Sequence, residues 1–248
     1  MSRDPDHDAS RVHFYAEAAD SGSMLSAAYN QLVLADFYRG IAGTVERVAD
    51  IGSGVGSNLG PIRARFPKAR VAAFDLSLAG LRTSRRQHGS DAVVADALEL
   101  PLPGGFADLV VCTEVLEHVA DLDRGVAELA RITRPGGFCV ISSPNYRNPM
   151  GFRKASIDRR RGTGYWDPWG GHEGFERLMT PGLVDRAVRR AFEIRQVRGA
   201  GFPMAWTALG YRRVGVFNDR HPMLWLGRVP VFRDLAMNRY LLLRRRGT

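Results

Sequence analysis

From Val48 to Ser143 the chain repeats one rhythm, a short apolar run followed by a longer segment of mixed polarity. Val48, Ala49 and Ile51 close the first run, and Val71–Phe74 form the second. Runs this short, alternating with stretches long enough for helices, predict buried parallel strands joined by helical crossovers. Upstream, residues 12–42 have helical periodicity, with Leu25, Tyr29, Leu32, Val33 and Phe37 on one face. Residues 1–10 are polar and are expected to be disordered.

The rhythm breaks at residues 146–180, which hold Tyr146, Phe152, Tyr165, Trp166 and Trp169 among glycines and arginines without clean periodicity. Structureless stretches this long inside a domain are usually functional or disordered, and the aromatic content argues against disorder. Pro181 then opens a helix predicted through Phe192, Glu193–Val197 reads as a sixth strand, and Arg239–Leu243 as the closing one. Between those strands lies a second aromatic insertion, 202–237, with Trp206, Tyr211, Phe217, Trp225 and Phe232. The prediction is one α/β domain: a helical cap at 1–44, a ligand-binding core at 45–145, insertions at 146–180 and 202–237, and a last strand within 238–246.

The first strand runs straight into Gly52, Gly54 and Gly56. Open α/β sheets bind ligands at the carboxyl ends of their strands, where glycines let the backbone approach closely. The spacing is G-x-G-x-G, with Ser57 where a dinucleotide fingerprint needs its third glycine, and no lysine follows as a P-loop requires. Asp50, ahead of the glycines, would repel a phosphate but suits a ligand carrying an ammonium group. This D-x-G-x-G-x-G stretch resembles motif I of the class I S-adenosylmethionine-dependent methyltransferases. The resemblance continues in order through Asp75 at the end of the second run, Val93–Ala97, Pro101–Glu117 and Leu129–Pro144, and so covers residues 45–145. It is closest to small-molecule enzymes of the methyltransferase type 11 kind.

The resemblance implies a doubly wound, Rossmann-like, mostly parallel seven-stranded sheet with an antiparallel last strand. It implies S-adenosylmethionine as cofactor. Asp50, Gly52, Ser53, Gly54 and Gly56 would hold its amino-acid end, Asp75 and Leu76 its ribose, and Asp96 and Ala97 its adenine. Thr113 and Glu114 would lie under the reacting methyl group. The leading helices of such enzymes cover the site, which brings in Phe14, Tyr15 and Tyr29. Simpler readings stand beside these, with Asp96 capping a turn, Asp50 pairing with an arginine, and the aromatics as ordinary packing. The candidates for acid–base or acceptor-side work are His172, Glu114 and His118, because an oxygen nucleophile of high pKa needs its proton removed. No metal is called for.

The formal charge is +9, almost all of the positive charge being arginine. Arg153, Lys154, Arg159, Arg160 and Arg161 cluster, as do Arg244–Arg246, which would suit phosphates or peripheral contact with an anionic membrane. A solvated surface explains them more simply. Nucleic acid is disfavoured because CTEV, residues 112–115, stands where base-flipping amino methyltransferases carry an N-P-P-Y-like tetrad. Cys112 and Cys139 read as reduced core residues, no apolar run of spanning length occurs, and MSRDPDHDAS is unlike a secretory signal, so a cytoplasmic protein is expected. The acceptor expected is an oxygen of a small molecule, glycan or lipid-linked intermediate. The competing readings are an RNA methyltransferase and a non-catalytic S-adenosylmethionine-binding module.

Overall fold

Seven strands are ordered β3-β2-β1-β4-β5-β7-β6 in a single sheet. The computed structural model describes residues 24–148, 177–201 and 227–247 together with positions 151, 152, 156, 160 and 225, with side chains from residue 31 onward. In chain order the elements are α1 (Met24–Arg39), β1 (Arg47–Ile51), α2 (Leu59–Arg65), β2 (Arg70–Asp75), α3 (Leu78–His88), β3 (Asp91–Val94) and β4 (Ala107–Thr113). They continue with α4 (Leu122–Ile132), β5 (Thr133–Pro144), α5 (Pro181–Val188), β6 (Phe192–Ala200), α6 (Pro230–Leu235) and β7 (Asn238–Arg245). β1 to β5 pair in parallel, whereas β7 runs antiparallel to both β5 and β6. The expected doubly wound sheet with a reversed last strand is present.

Burial on both faces explains the near-continuous apolar runs. All seven residues of β4 are buried, and from Leu109 to Cys112 they alternate between two cores. Val110 and Cys112 join Ala49, Ile51 and Ile141 against Val126, Leu129 of α4 and Val184, Val188 of α5. Leu109 and Val111 join Val48, Val140 and Leu242 against Val33, Leu34, Phe37 of α1 and Leu59, Ile62 of α2. Both cysteines are free and buried, and burial pushes their thiols up, which leaves them inert.

Local chemistry sets several boundaries. Ser77 caps α3 by accepting from the Gly80 N–H at 3.1 Å, and Gly89 closes that helix in the left-handed region. The Pro135-Gly136-Gly137 turn is taken into β5 as an irregularity, since the register steps from Ala107↔Thr133 to Leu109↔Phe138. The helix at Pro181 is shorter than its pattern suggested. It stops at Val188, and Phe192 is instead a fully buried residue of β6, a strand that runs on to Ala200. The side chains of Leu25 and Tyr29, Phe14 and Tyr15, the aromatics at 165, 166, 169, 206, 211 and 217, and the basic residues 153, 154, 159 and 161 lie outside the described residues.

One ion cluster ties the sheet's β6 edge to the N-terminal helix. Asp36 of α1, 9% exposed, accepts from Arg198 of β6 at 3.1 Å and from Arg228 at 2.7 Å. Among the described residues, no helix is long and apolar enough to cross a membrane.

Candidate active site

A cavity opens at the carboxyl ends of β1, β2 and β4, where Ile51, Asp75, Asp96, Glu114 and His118 come to one wall system. Its floor is the turn after β1. Gly52 and Ser53 N–H groups both donate to the Phe74 carbonyl, at 2.7 and 3.1 Å, which locks the loop to the end of β2. Gly52 has φ +67, and a Cβ there would collide with the Val115 side chain. Gly54, at φ +50, faces open space, so its backbone is presented bare.

Asp75 spans the two loops. Its Oδ2 accepts from the Gly54 N–H and its Oδ1 from the Ser77 N–H, both at 2.7 Å. Burial raises its pKa, against the opposing pull of these backbone donors. A carboxylate offers about four acceptor positions, so these bonds fix the group without exhausting it. Asp96 does cap a turn, accepting from the Leu98 N–H at 2.9 Å, and it lines the cavity as well. Leu76 and Ala97 complete that side.

Beneath the loop, Asp50 is fully buried. Its Oδ1 accepts from Asn58 Nδ2 at 2.9 Å, and its Oδ2 has no partner. Burial pushes its pKa up to about 7; the Asn58 hydrogen bond opposes this and the charge of Asp75 adds to it. It pairs with no arginine in the ion pairs of the described residues. The Tyr38 hydroxyl of α1, also fully buried and without a partner, feels the same carboxylate. Thr113 belongs to this buried network, its hydroxyl 3.0 Å from Asn58 Nδ2, and it is absent from the cavity lining.

Glu114 lines the same cavity. It is the one non-glycine among the described residues with positive φ, at 55°, a conformation that costs about 1–3 kcal/mol and persists only where its surroundings enforce it. Here they do. Its N–H lies 3.1 Å from Ser142 Oγ, that hydroxyl donates to Oε1, and Asn238 Nδ2 donates to Oε2 at 2.7 Å. His118 lines the same cavity and lies 3.8 Å from Glu117. His172 lies outside the described residues. Reading the sequence missed Asn58, Ser142 and Asn238. Asn58 is close enough in sequence to belong to the loop motif, whereas nothing in the pattern links position 114 to 142 or 238.

A shallower cleft along α4 lies away from the strand ends, and its Glu128 and Arg131 are spent on each other at 2.7 Å. Among the described residues, no group of three or more His, Cys, Asp or Glu could hold a metal.

The methyltransferase-domain family profile matches residues 49–141. The ubiquinone biosynthesis O-methyltransferase of Burkholderia pseudomallei is 31% identical over 181 residues, 70% of this chain and 74% of that protein. The chain belongs to the class I S-adenosylmethionine-dependent methyltransferases. The malonyl-[acyl-carrier protein] O-methyltransferase of Geobacter sulfurreducens is 29% identical over 152 residues, 58% of this methyltransferase. The chain spans only 54% of that relative's length. The crystal structure of an S-adenosylmethionine-dependent methyltransferase from Mesorhizobium loti superposes with a TM-score of 0.61 at 22% identity, covering 89% of this chain and all of the other. S-adenosylmethionine is the cofactor of this methyltransferase, and the residues fit it. The cavity offers such a cationic ligand three carboxylates, Asp75, Asp96 and Glu114, and the orphaned oxygen of Asp50 lies buried beneath its floor.

Proposed function

We propose that the protein transfers a methyl group from S-adenosylmethionine to an oxygen of a small-molecule acceptor. The observation that carries this reading is the cavity at the strand ends, lined together by Asp75, Asp96, Glu114 and His118. The Gly52–Gly56 loop and Asp50 would hold the amino-acid end of the cofactor, Asp75 with Leu76 the ribose, and Asp96 with Ala97 the adenine. The cofactor supplies an activated methyl on a sulfonium leaving group. The chain's own task is then to exclude water and set the acceptor oxygen in line, and orientation of that kind lowers a barrier by about 7–11 kcal/mol at best. Glu114, held on both oxygens, would orient the acceptor; His118 and His172 are the groups proposed to take its proton. Thr113 supports Asn58 from below.

Transfer to oxygen is supported by the names of the relatives, which are O-methyltransferases acting in ubiquinone biosynthesis or on a malonyl group. The acceptor class remains a small molecule, glycan or lipid-linked intermediate. The test uses methyl-labelled S-adenosylmethionine with the protein and an extract of its own cells. Label should appear in a low-mass product. Release of labelled methanol by mild alkali marks a methyl ester and resistance to alkali a methyl ether. Label confined to precipitated RNA or protein, or no transfer to any fraction, defeats the proposal.

A further inference from the structure

The protein is strongly basic, yet its cavity is lined among the described residues by three carboxylates, Asp75, Asp96 and Glu114, and by no lysine or arginine. Among those lining residues, His118 is the one group able to become cationic. Two of the carboxylates belong to the side assigned to the cofactor. Glu114 does not. It lines the same cavity from the loop after β4, and both of its oxygens accept hydrogen bonds, one from Ser142 and one from Asn238, which is the arrangement of an ionised carboxylate.

The segment carrying Asn238 is itself fastened down. The buried amide of Asn145 donates to the carbonyls of Asp234 and Ala236 at 3.0 and 2.8 Å, and the Asn145 N–H donates to the Met237 carbonyl at 2.6 Å. Asn148 adds a donor to Ala236 at 3.3 Å. The charge at Glu114 is therefore fixed in place from β4, β5 and β7 at once, and its backbone is held in a strained conformation to put it there.

From this we infer that Glu114 determines acceptor class: it accepts a hydrogen bond from a neutral hydroxyl and repels an acceptor that presents a carboxylate. The inference rests on the proposed function and decides between the two kinds of oxygen that its relatives' names allow. Removing water from the cavity strengthens both effects, because a fixed charge acts more strongly at low dielectric. Asn238 and Ser142 are positioning residues that act through Glu114.

The experiment compares binding of catechol, neutral at pH 7, with benzoate, an anion of similar size, by titration calorimetry with and without S-adenosylhomocysteine. Catechol should bind at least about tenfold more tightly than benzoate, the scale of one charge-assisted hydrogen bond. Glu114→Gln should weaken catechol by about tenfold and raise benzoate affinity, leaving S-adenosylhomocysteine affinity within about twofold. Asn238→Ala, which frees the carboxylate without removing it, should erode the preference by about threefold to tenfold. Benzoate binding as tightly as catechol, or Glu114→Gln leaving their ratio unchanged, overturns the inference. Failure to bind S-adenosylhomocysteine sinks the methyltransferase reading instead, and the ratio measured without it still answers for Glu114.

Discussion

The two walls of the cavity are built by opposite means. The side that we assign to the cofactor is fixed by backbone donors from neighbouring strand-end loops. Asp75 meets Gly54 across 21 residues and Ser77 across two, and each partner belongs to a motif placed by a strand end. The side that we assign to the acceptor is fixed by side chains whose partners lie far along the chain. Glu114 meets Ser142 across 28 residues and Asn238 across 124, and Asn145 meets Ala236 across 91. A wall of local backbone contacts tolerates change elsewhere in the chain. A wall of long-range amide clamps can be altered one side chain at a time without touching the cofactor. On the proposed function, the first set would be constrained by the cofactor, and the second could change with the acceptor.

The sharpest way to break this division is Gly52→Ala. Its methyl would meet Val115 across the cavity floor at a φ that L-residues avoid, so both walls should suffer. Urea unfolding should show a loss of about 3 kcal/mol, from overpacking and backbone strain together. Unchanged stability would mean that the loop is looser than described. Asp75→Ala should act on the cofactor wall, raising the dissociation constant for S-adenosylmethionine at least tenfold, on the order of 1.5–3 kcal/mol for charge-assisted bonds. An unaltered affinity by calorimetry would remove Asp75 from the ribose.

Asn145→Ala tests the other wall. It removes the Asn145 donor from the Asp234 carbonyl and leaves Ala236 with the longer bond from Asn148, which should cost about 1–3 kcal/mol of stability, while cofactor affinity stays within about twofold. A large loss of cofactor affinity would show that the walls are not independent. A separate effect concerns pH. Burial raises Asp50 from 3.8 to about 7, so the folded chain binds more protons than the unfolded chain between those values. Stability therefore falls as pH rises from 3.8 to about 7 and levels off above. Asp50→Asn should raise the melting temperature of the cofactor-free protein at about pH 8, with the gain shrinking through about pH 7 and vanishing below 3.8. A gain that is independent of pH would contradict a shifted Asp50.

The loop proposed to hold the cofactor was legible as a motif because its determinants are local. Asp50, the glycines and Asp75 sit at strand ends that hydrophobic runs announce, and a strand end in a parallel sheet already fixes where its loop points. Even there, reading stopped short at Thr113. Its neighbour Glu114 reaches the cavity, whereas Thr113 alternates away and pairs with Asn58. The clamp on Glu114 was not legible. Asn238 reaches Glu114 because β7 enters antiparallel beside β5, pairing Pro144 with Asn238, and no periodicity in either segment encodes that adjacency. The helix predicted to Phe192 overran for a related reason. Ala187, Val188 and Phe192 are all buried, and their spacing fits one helix face as well as a helix end followed by a strand.

The strand order carries a consequence for biosynthesis. β6 pairs only with β7, and β7 lies between β5 and β6, so β6 has no partner until a later strand slides into the middle. Asp36 waits longer than any strand, for Arg198 and Arg228 follow it by 162 and 192 residues. At about 5–20 residues per second, the ribosome needs roughly 10–40 seconds to deliver that second arginine. Through that interval α1 carries a buried-type aspartate and the apolar face of Val33, Leu34 and Phe37 with part of its docking site still unmade. Among the described elements, the first helix is thus one of the last to settle, and it is where a chaperone would have most to hold.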